Sequence, residues 1–300
     1  ADMRVNLAGV ELKNPVVVAS GTFGFGREFA EYFPLENLGG ICVKGLTVKR
    51  RDGNPSPRIA ETPSGILNSV GLQNPGVDAF CEKEMPWLRQ QGTKIIANIS
   101  GNTLEEYAEL SEKVSAAGVD LIEVNISCPN TMAGEPFNQS PEALDKLFTE
   151  LDKIERPQPT LVKMPLNKSW EEFKDLLDVL AEHNVQGLSI ANLQKDRAGM
   201  EIPRDWEGGL SGSPCYEASN ERIKQVYREY GDRFAIAGIG GVFTPQQAYA
   251  KIRSGSSLVM FISSLMYRGP QQITVLKRGL AELLKRDGFD HVSQAVGIDA

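Results

Sequence analysis

Two lysines end apolar runs in a way that calls for an anion. Lys44 follows Ile41-Cys42-Val43, and Lys163 follows Thr160-Leu161-Val162. An ammonium group at the end of a buried strand carries a large desolvation cost unless an opposite charge meets it. Asn98, Asn125 and Asn192 close similar runs. The hexapeptide Asn125-Ile126-Ser127-Cys128-Pro129-Asn130 adds a thiol to this set. A thiol at a rim rich in lysine acts as base or nucleophile once ionised. The chain has only two histidines, His183 and His291, and neither is near Cys128 in sequence. That favours proton abstraction over a Cys–His hydrolase, and no metal site is expected. Cys42, Cys81 and Cys215 read as small buried hydrophobes.

Glycines supply the other chemistry. Gly238-Ile239-Gly240-Gly241 precedes a helix that starts near Pro245, and Gly208-Gly209-Leu210-Ser211-Gly212 reads as a second glycine loop. Such loops let backbone N–H groups approach a phosphate, and a helix N-terminus favours its charge. Ser263 closes a further apolar run. A phosphate-bearing cofactor or substrate is expected. No Gly-x-Gly-x-x-Gly follows an early strand, which disfavours a Rossmann nicotinamide site.

The elements that must position these residues are short apolar runs bounded by Gly, Pro and Asn. Eight stand out: Val16–Ala19, Ile41–Lys44, Lys94–Ile99, Leu121–Asn125, Thr160–Lys163, Gly187–Ala191, Phe234–Ala237 and Leu258–Ile262. Each is nearly continuous in apolar character, as in strands buried on both faces of a parallel sheet. Helical patterns alternate with them: Leu104–Ala117, a helix capped by Ser140-Pro141, Ser169–Glu182, one opened by Thr244-Pro245, and Ile273–Arg286. The alternation means α/β, and eight strands without a composition break predict a (β/α)8 TIM barrel over residues 1–300 as a single domain. A doubly wound open sheet is the competing arrangement. Arg4–Leu7 and Val10–Leu12 predict an N-terminal hairpin capping the bottom of the barrel. The connection from Gly45 to Thr93 is an unusually long rim loop, a length that points to function. In such barrels chemistry sits at the carboxyl ends of the strands, where Ser20, Gly21, Lys44, Asn98, Asn125, Lys163, Asn192, Gly240 and Ser263 all fall.

Composition narrows the function classes. The net charge is −7, which disfavours nucleic acid as the main partner. No apolar run approaches a membrane span, and the opening residues lack a signal-peptide pattern. Four separated cysteines with no Cys-x-x-Cys pair indicate a reducing cytoplasm and argue against an iron–sulfur cluster in this chain.

These residues bear a family resemblance. The chain resembles dihydroorotate dehydrogenase along essentially its whole length. Asn14-Pro15, Ala19-Ser20-Gly21-Thr22-Phe23-Gly24-Phe25-Gly26, Val43-Lys44-Gly45, Gly53-Asn54-Pro55-Ser56-Pro57-Arg58 and Asn68-Ser69-Val70-Gly71-Leu72-Gln73-Asn74-Pro75-Gly76 look like the two-subunit, NAD-linked class. Asn125 to Asn130 carries the cysteine form of the catalytic loop, that of class 1. The resemblance implies FMN-dependent oxidation of dihydroorotate to orotate in pyrimidine biosynthesis. It places FMN against Ala19, Ser20, Gly21, Lys44, Gly45, Asn98, Asn125 and Lys163, with its phosphate at Gly212, Gly240, Gly241 and Ser263. It assigns the substrate to Lys44, Asn68, Gly71, Leu72, Asn125, Asn130 and Asn192. Asparagine amides suit the ring amides of dihydroorotate, and Lys44 suits its carboxylate. Cys128 would remove the proton, a hydride would pass to the flavin, and Lys163 would stabilise the charge that results. A homodimeric core is also implied.

The second half departs from the NAD-linked pattern. Glu207 to Pro214 and Tyr267 to Pro270 look closer to the quinone-linked class, and Asp290 to Ile298 is similar to the fumarate-linked class. Leu193 stands where the family usually has a hydroxyl residue, and Ile262 where glycine is frequent. Two alternatives follow. One is a related flavoenzyme acting on another dihydropyrimidine or cyclic amide, favoured by Leu193. The other is a catalytic subunit dependent on a separate electron-transfer subunit that carries FAD and an iron–sulfur cluster.

Overall fold

All eight apolar runs become parallel strands of one closed barrel in the computed structural model, which describes residues 1–21, 23–127, 137–198 and 206–300. The strands are Val16–Val18, Gly40–Cys42, Lys94–Ile99, Leu121–Asn125, Thr160–Lys163, Gly187–Ile190, Ala235–Ile239 and Leu258–Phe261. The eighth pairs with the first in the register Val259↔Val16, which closes the ring and excludes the open sheet. Nearly every strand residue is buried. The inward side chains fill the barrel and the outward ones meet helices, so neither face needs polar residues.

Two outer helices begin at the capping signals Ser140-Pro141 and Thr244-Pro245, and two more are capped in the same way. Thr103, Ser140, Ser169 and Thr244 each accept a backbone N–H from the first turn of their helices, Leu104–Ala117, Pro141–Asp152, Trp170–Ala181 and Pro245–Arg253. The chain's longest helix, Gln271–Arg286, packs against Pro245–Arg253. Tyr216–Tyr230 is a further helix that the strand-and-helix pattern did not single out.

The hairpin forms as Val5–Leu7 paired antiparallel with Val10–Leu12. Asn6 and Ala8 share a surface depression with Gln186, Phe234 and Ala235, at the amino ends of the sixth and seventh strands. It therefore sits at the bottom of the barrel, as expected.

Two expectations need correction. The long connection after the second strand is not all loop: Ile59–Thr62 and Gly65–Asn68 form an antiparallel pair. Gly208 to Gly212 is not a glycine loop either, because Gly209–Gly212 is the third strand of that small sheet. The glycines mark close strand approach: a Cβ on Gly65 would lie 1.9 Å from the Ser211 carbonyl oxygen. Pairing between segments so far apart in sequence leaves no local periodicity to read.

Candidate active site

The carboxyl ends of the strands open into a cavity of about 780 Å³. It is lined by Ser20, Gly21, Lys44, Gly45, Asn68, Gly71, Leu72, Asn98, Asn125, Lys163 and Asn192. A small pocket of about 50 Å³ adjoins it, lined by Gly212, Gly240, Gly241 and Ser263. Lys163, Asn192, Leu193, Ser211 and Ile262 line both spaces. Ala19 is buried and lines neither; its N–H is bonded to the Phe261 carbonyl. Cys128 and Asn130 lie outside the described residues.

The side chains on this rim are held by specific partners. Lys163 Nζ donates to Ser20 Oγ at 3.2 Å, which links the fifth strand to the first across the barrel mouth. Asn98 Nδ2 donates to Glu123 Oε1 at 2.6 Å, and Ser189 Oγ donates to Glu123 Oε2. That commits the donor end of Asn98, and its Oδ1 is left buried without a partner among the described residues. A buried orphan acceptor of this kind costs about 1–3 kcal/mol, so the site presents an acceptor that awaits a donor.

Asn125 is oriented the opposite way. Its Oδ1 accepts from Ser127 N–H at 3.1 Å and Ser127 Oγ at 2.9 Å, which leaves its amide donors for a ligand. Asn192 Nδ2 donates to Ser127 Oγ at 2.6 Å, and its Oδ1 accepts the Leu193 N–H. The Tyr107 hydroxyl, from the helix outside the barrel, braces the Asn125 carbonyl at 2.6 Å.

The small antiparallel sheet brings in the remaining residues. Asn68 pairs in register with Gly209, so the connection after the second strand is tied to the one after the sixth. Asn74 organises the turn beyond it, accepting from Thr47 and Gly76 N–H and donating to Thr47 Oγ1 and the Leu72 carbonyl. Ser263 Oγ donates to Ser211 Oγ at 2.9 Å and ties this sheet to the eighth strand.

Three thiols fall inside the described residues. Burial, with Glu123 alongside, pushes the Cys42 thiol well above its ordinary range. Burial also pushes Cys215 up to about 11 and raises Cys81. Cys42 and Cys215 are buried, in keeping with their reading as small buried hydrophobes, whereas Cys81 is only partly buried, contrary to that reading.

Sequence reasoning missed Glu123 and Ser127, the two groups that orient the asparagines. A carboxylate inside Leu121-Ile122-Glu123-Val124 was the available signal for the first. It also gave no role to Arg50, Arg51, Asp52 and Arg58, which line the cavity. Arg50 pairs with Asp52 at 2.8 Å, and Arg58 reaches the Asp52 and Asn54 carbonyls.

The chain is similar to known proteins in both sequence and fold. Residues 2–284 match the family described as Dihydroorotate dehydrogenase. A curated relative from Petrotoga mobilis, named dihydroorotate dehydrogenase B (NAD(+)) catalytic subunit, is 40% identical over 99% of both chains. A relative of the same name from Alkaliphilus metalliredigens is 43% identical over 85% of both chains. The ligand-free DHODH of Eimeria tenella superposes with a TM-score of 0.89 at 25% identity, covering 99% of this chain and 92% of the other. On the family match and the full-length relatives, the chain belongs to the dihydroorotate dehydrogenase family.

Proposed function

We propose that this chain oxidises dihydroorotate to orotate with FMN as its cofactor, as a cytoplasmic catalytic subunit that passes electrons to a separate subunit. The observation that carries the reading is one rim on which two lysines, an orphan acceptor and a glycine cradle converge. Each suits part of FMN. The buried Asn98 Oδ1 would accept an N–H of the ring, and Lys163 would face its electron-rich edge. Gly212, Gly240, Gly241 and Ser263 would receive the phosphate. The name of the relatives, a catalytic subunit, supports the partner. No described helix is long and apolar enough to cross a membrane.

Bound FMN would supply the two-electron acceptor. The chain's own residues do the rest. Lys44 binds the substrate carboxylate. Asn68 and Asn125 hold the ring amides, with Asn125 acting as donor because Ser127 occupies its oxygen. Asn192, tied to the same Ser127, completes that wall. Cys128 takes the proton beside the ring carbonyl and must be ionised to do so. Lys163 holds a fixed positive charge where negative charge builds up, without reorganising as it does so.

The test is the absorption spectrum of the purified chain, then anaerobic addition of dihydroorotate. A yellow protein bleached in a single turnover is expected. A colourless protein that FMN cannot reconstitute would overturn the cofactor assignment. One observation favours a second reading, a different cyclic amide as substrate: Leu193 lines both pockets and offers no hydroxyl. A flavin that stays oxidised with dihydroorotate but is bleached by another cyclic amide would establish it.

A further inference from the structure

Lys251 is the largest fully buried charged side chain that this mechanism does not use. It lies on the helix Pro245–Arg253 and is wholly buried. Its Nζ donates to Ser219 Oγ at 2.7 Å and Asn220 Oδ1 at 2.6 Å, and it lies 5.5 Å from the centre of the Tyr216 ring. No carboxylate forms an ion pair with it among the described residues. A buried cation with only neutral partners is expensive to keep.

Its position suggests what offsets the charge. A Cβ on Gly238 would lie 2.7 Å from Lys251 Cγ, so the lysine stem runs directly beneath the glycine segment. A Cβ on Gly240 would lie 3.1 Å from Ser219 Oγ, the hydroxyl that Lys251 holds. Ser219 and Asn220 belong to the early part of the helix Tyr216–Tyr230, whose amino end abuts Gly241 through Tyr216. A cation near the positive end of a helix, in a dry setting, is doubly unfavourable unless an anion arrives from outside the chain. Burial accordingly brings the Lys251 ammonium down to about 7.

We propose that Lys251 is a positioning residue for the cofactor phosphate: it supports from beneath the end of the seventh strand at Gly238 and the Gly240-Gly241 turn that follows it, and its charge is offset when the phosphate binds above. The proposal rests on the FMN reading and deepens it. Lys251 lines neither pocket, so it acts through the loop and through the electric field, not by contact.

The experiment compares FMN with riboflavin, which lacks the phosphate. Both dissociation constants are measured by flavin fluorescence quenching, in apoprotein of the wild type and of Lys251→Met. In the variant the preference for FMN should fall by roughly tenfold to a hundredfold, the size of a screened charge interaction at this depth, with riboflavin affinity unchanged. The wild type carries a second arm that needs no variant. Between about pH 7 and pH 9 its preference for FMN should decline as Lys251 loses its proton, whereas Lys251→Met should be flat. The groups facing Lys251 are Cys215, Tyr216 and Glu217. Burial raises the first two above their ordinary values of 9.0 and 10.0, so neither competes in this window. A purely structural lysine would leave the wild-type profile flat. A preference that survives in Lys251→Met, or one that does not move with pH in the wild type, overturns the proposal. A wild type that binds neither flavin overturns the FMN reading instead.

Discussion

Gly241 and Gly288 form a matched pair that separates backbone conformation from crowding at the glycine cradle. Both are left-handed, with φ of +71° and +78°. Alanine at either position carries the left-handed penalty of about 1–2 kcal/mol. Only at Gly241 does a new Cβ collide: it would lie 2.4 Å from Tyr216 Cβ and 2.9 Å from Tyr216 Cα. Around Gly288 nothing lies within 4 Å. The obstructing atoms belong to the start of a helix and cannot swing away, so overpacking adds about 1–3 kcal/mol. Gly288→Ala should therefore lose about 1–2 kcal/mol and Gly241→Ala about 2–5 kcal/mol. At roughly 2–4 °C per kcal/mol for chains approaching this length, the melting temperatures should separate by several degrees. Differential scanning calorimetry of both apoproteins measures the separation. Flavin titration should show weakened FMN binding in Gly241→Ala alone. Equal losses of stability in the two variants would refute the collision, and unchanged FMN affinity in Gly241→Ala would refute its link to the cradle.

Further outcomes are expected elsewhere in the chain. Cys128→Ala should slow flavin reduction by dihydroorotate at least about a hundredfold while retaining FMN; anaerobic stopped-flow reduction at the parent rate would assign the base to another residue. Glu123→Leu should strip Asn98 Nδ2 and Ser189 Oγ of their acceptor and destabilise by about 2–6 kcal/mol, from two orphaned donors; an unchanged urea midpoint would disprove this. Burial works against a charged ring at His183, but its bonds to Asp152 and Asp145 outweigh burial and raise its pKa from the ordinary 6.5. The folded chain thus holds the proton more tightly, and the stabilisation is complete below about 6.5 and is lost as pH rises through the folded-state value. The stability gap between wild type and His183→Ala should therefore be wider at acid pH than at alkaline pH in urea titrations; a constant gap would contradict the assignment.

The barrel was legible because its signals are local. A strand buried on both faces must be apolar throughout, and Leu121–Asn125 and Thr160–Lys163 show this within a few residues. Ser140 and Thr244 announce helix starts because a cap satisfies N–H groups only a few positions away. Polar residues at strand ends then mark one rim, since all parallel strands of a barrel end on the same side. Lys44, Asn98, Asn125, Lys163 and Asn192 could therefore be grouped from sequence.

Tertiary structure decided what depends on partners remote in sequence. Gly209–Gly212 reads as a loop until Gly65–Asn68 comes alongside to pair with it. Asn98 and Asn125 are the same residue type, yet one offers an acceptor and the other donors. Glu123 takes the amide of the first and Ser127 takes the oxygen of the second. Lys251 looks like any lysine on an amphipathic helix until its ammonium is enclosed by Ser219, Asn220 and Tyr216. Residue type and short spacing are properties of the chain; the direction of a hydrogen bond and the loss of water around a charge are properties of the packed neighbours, and those exist only once the barrel has closed.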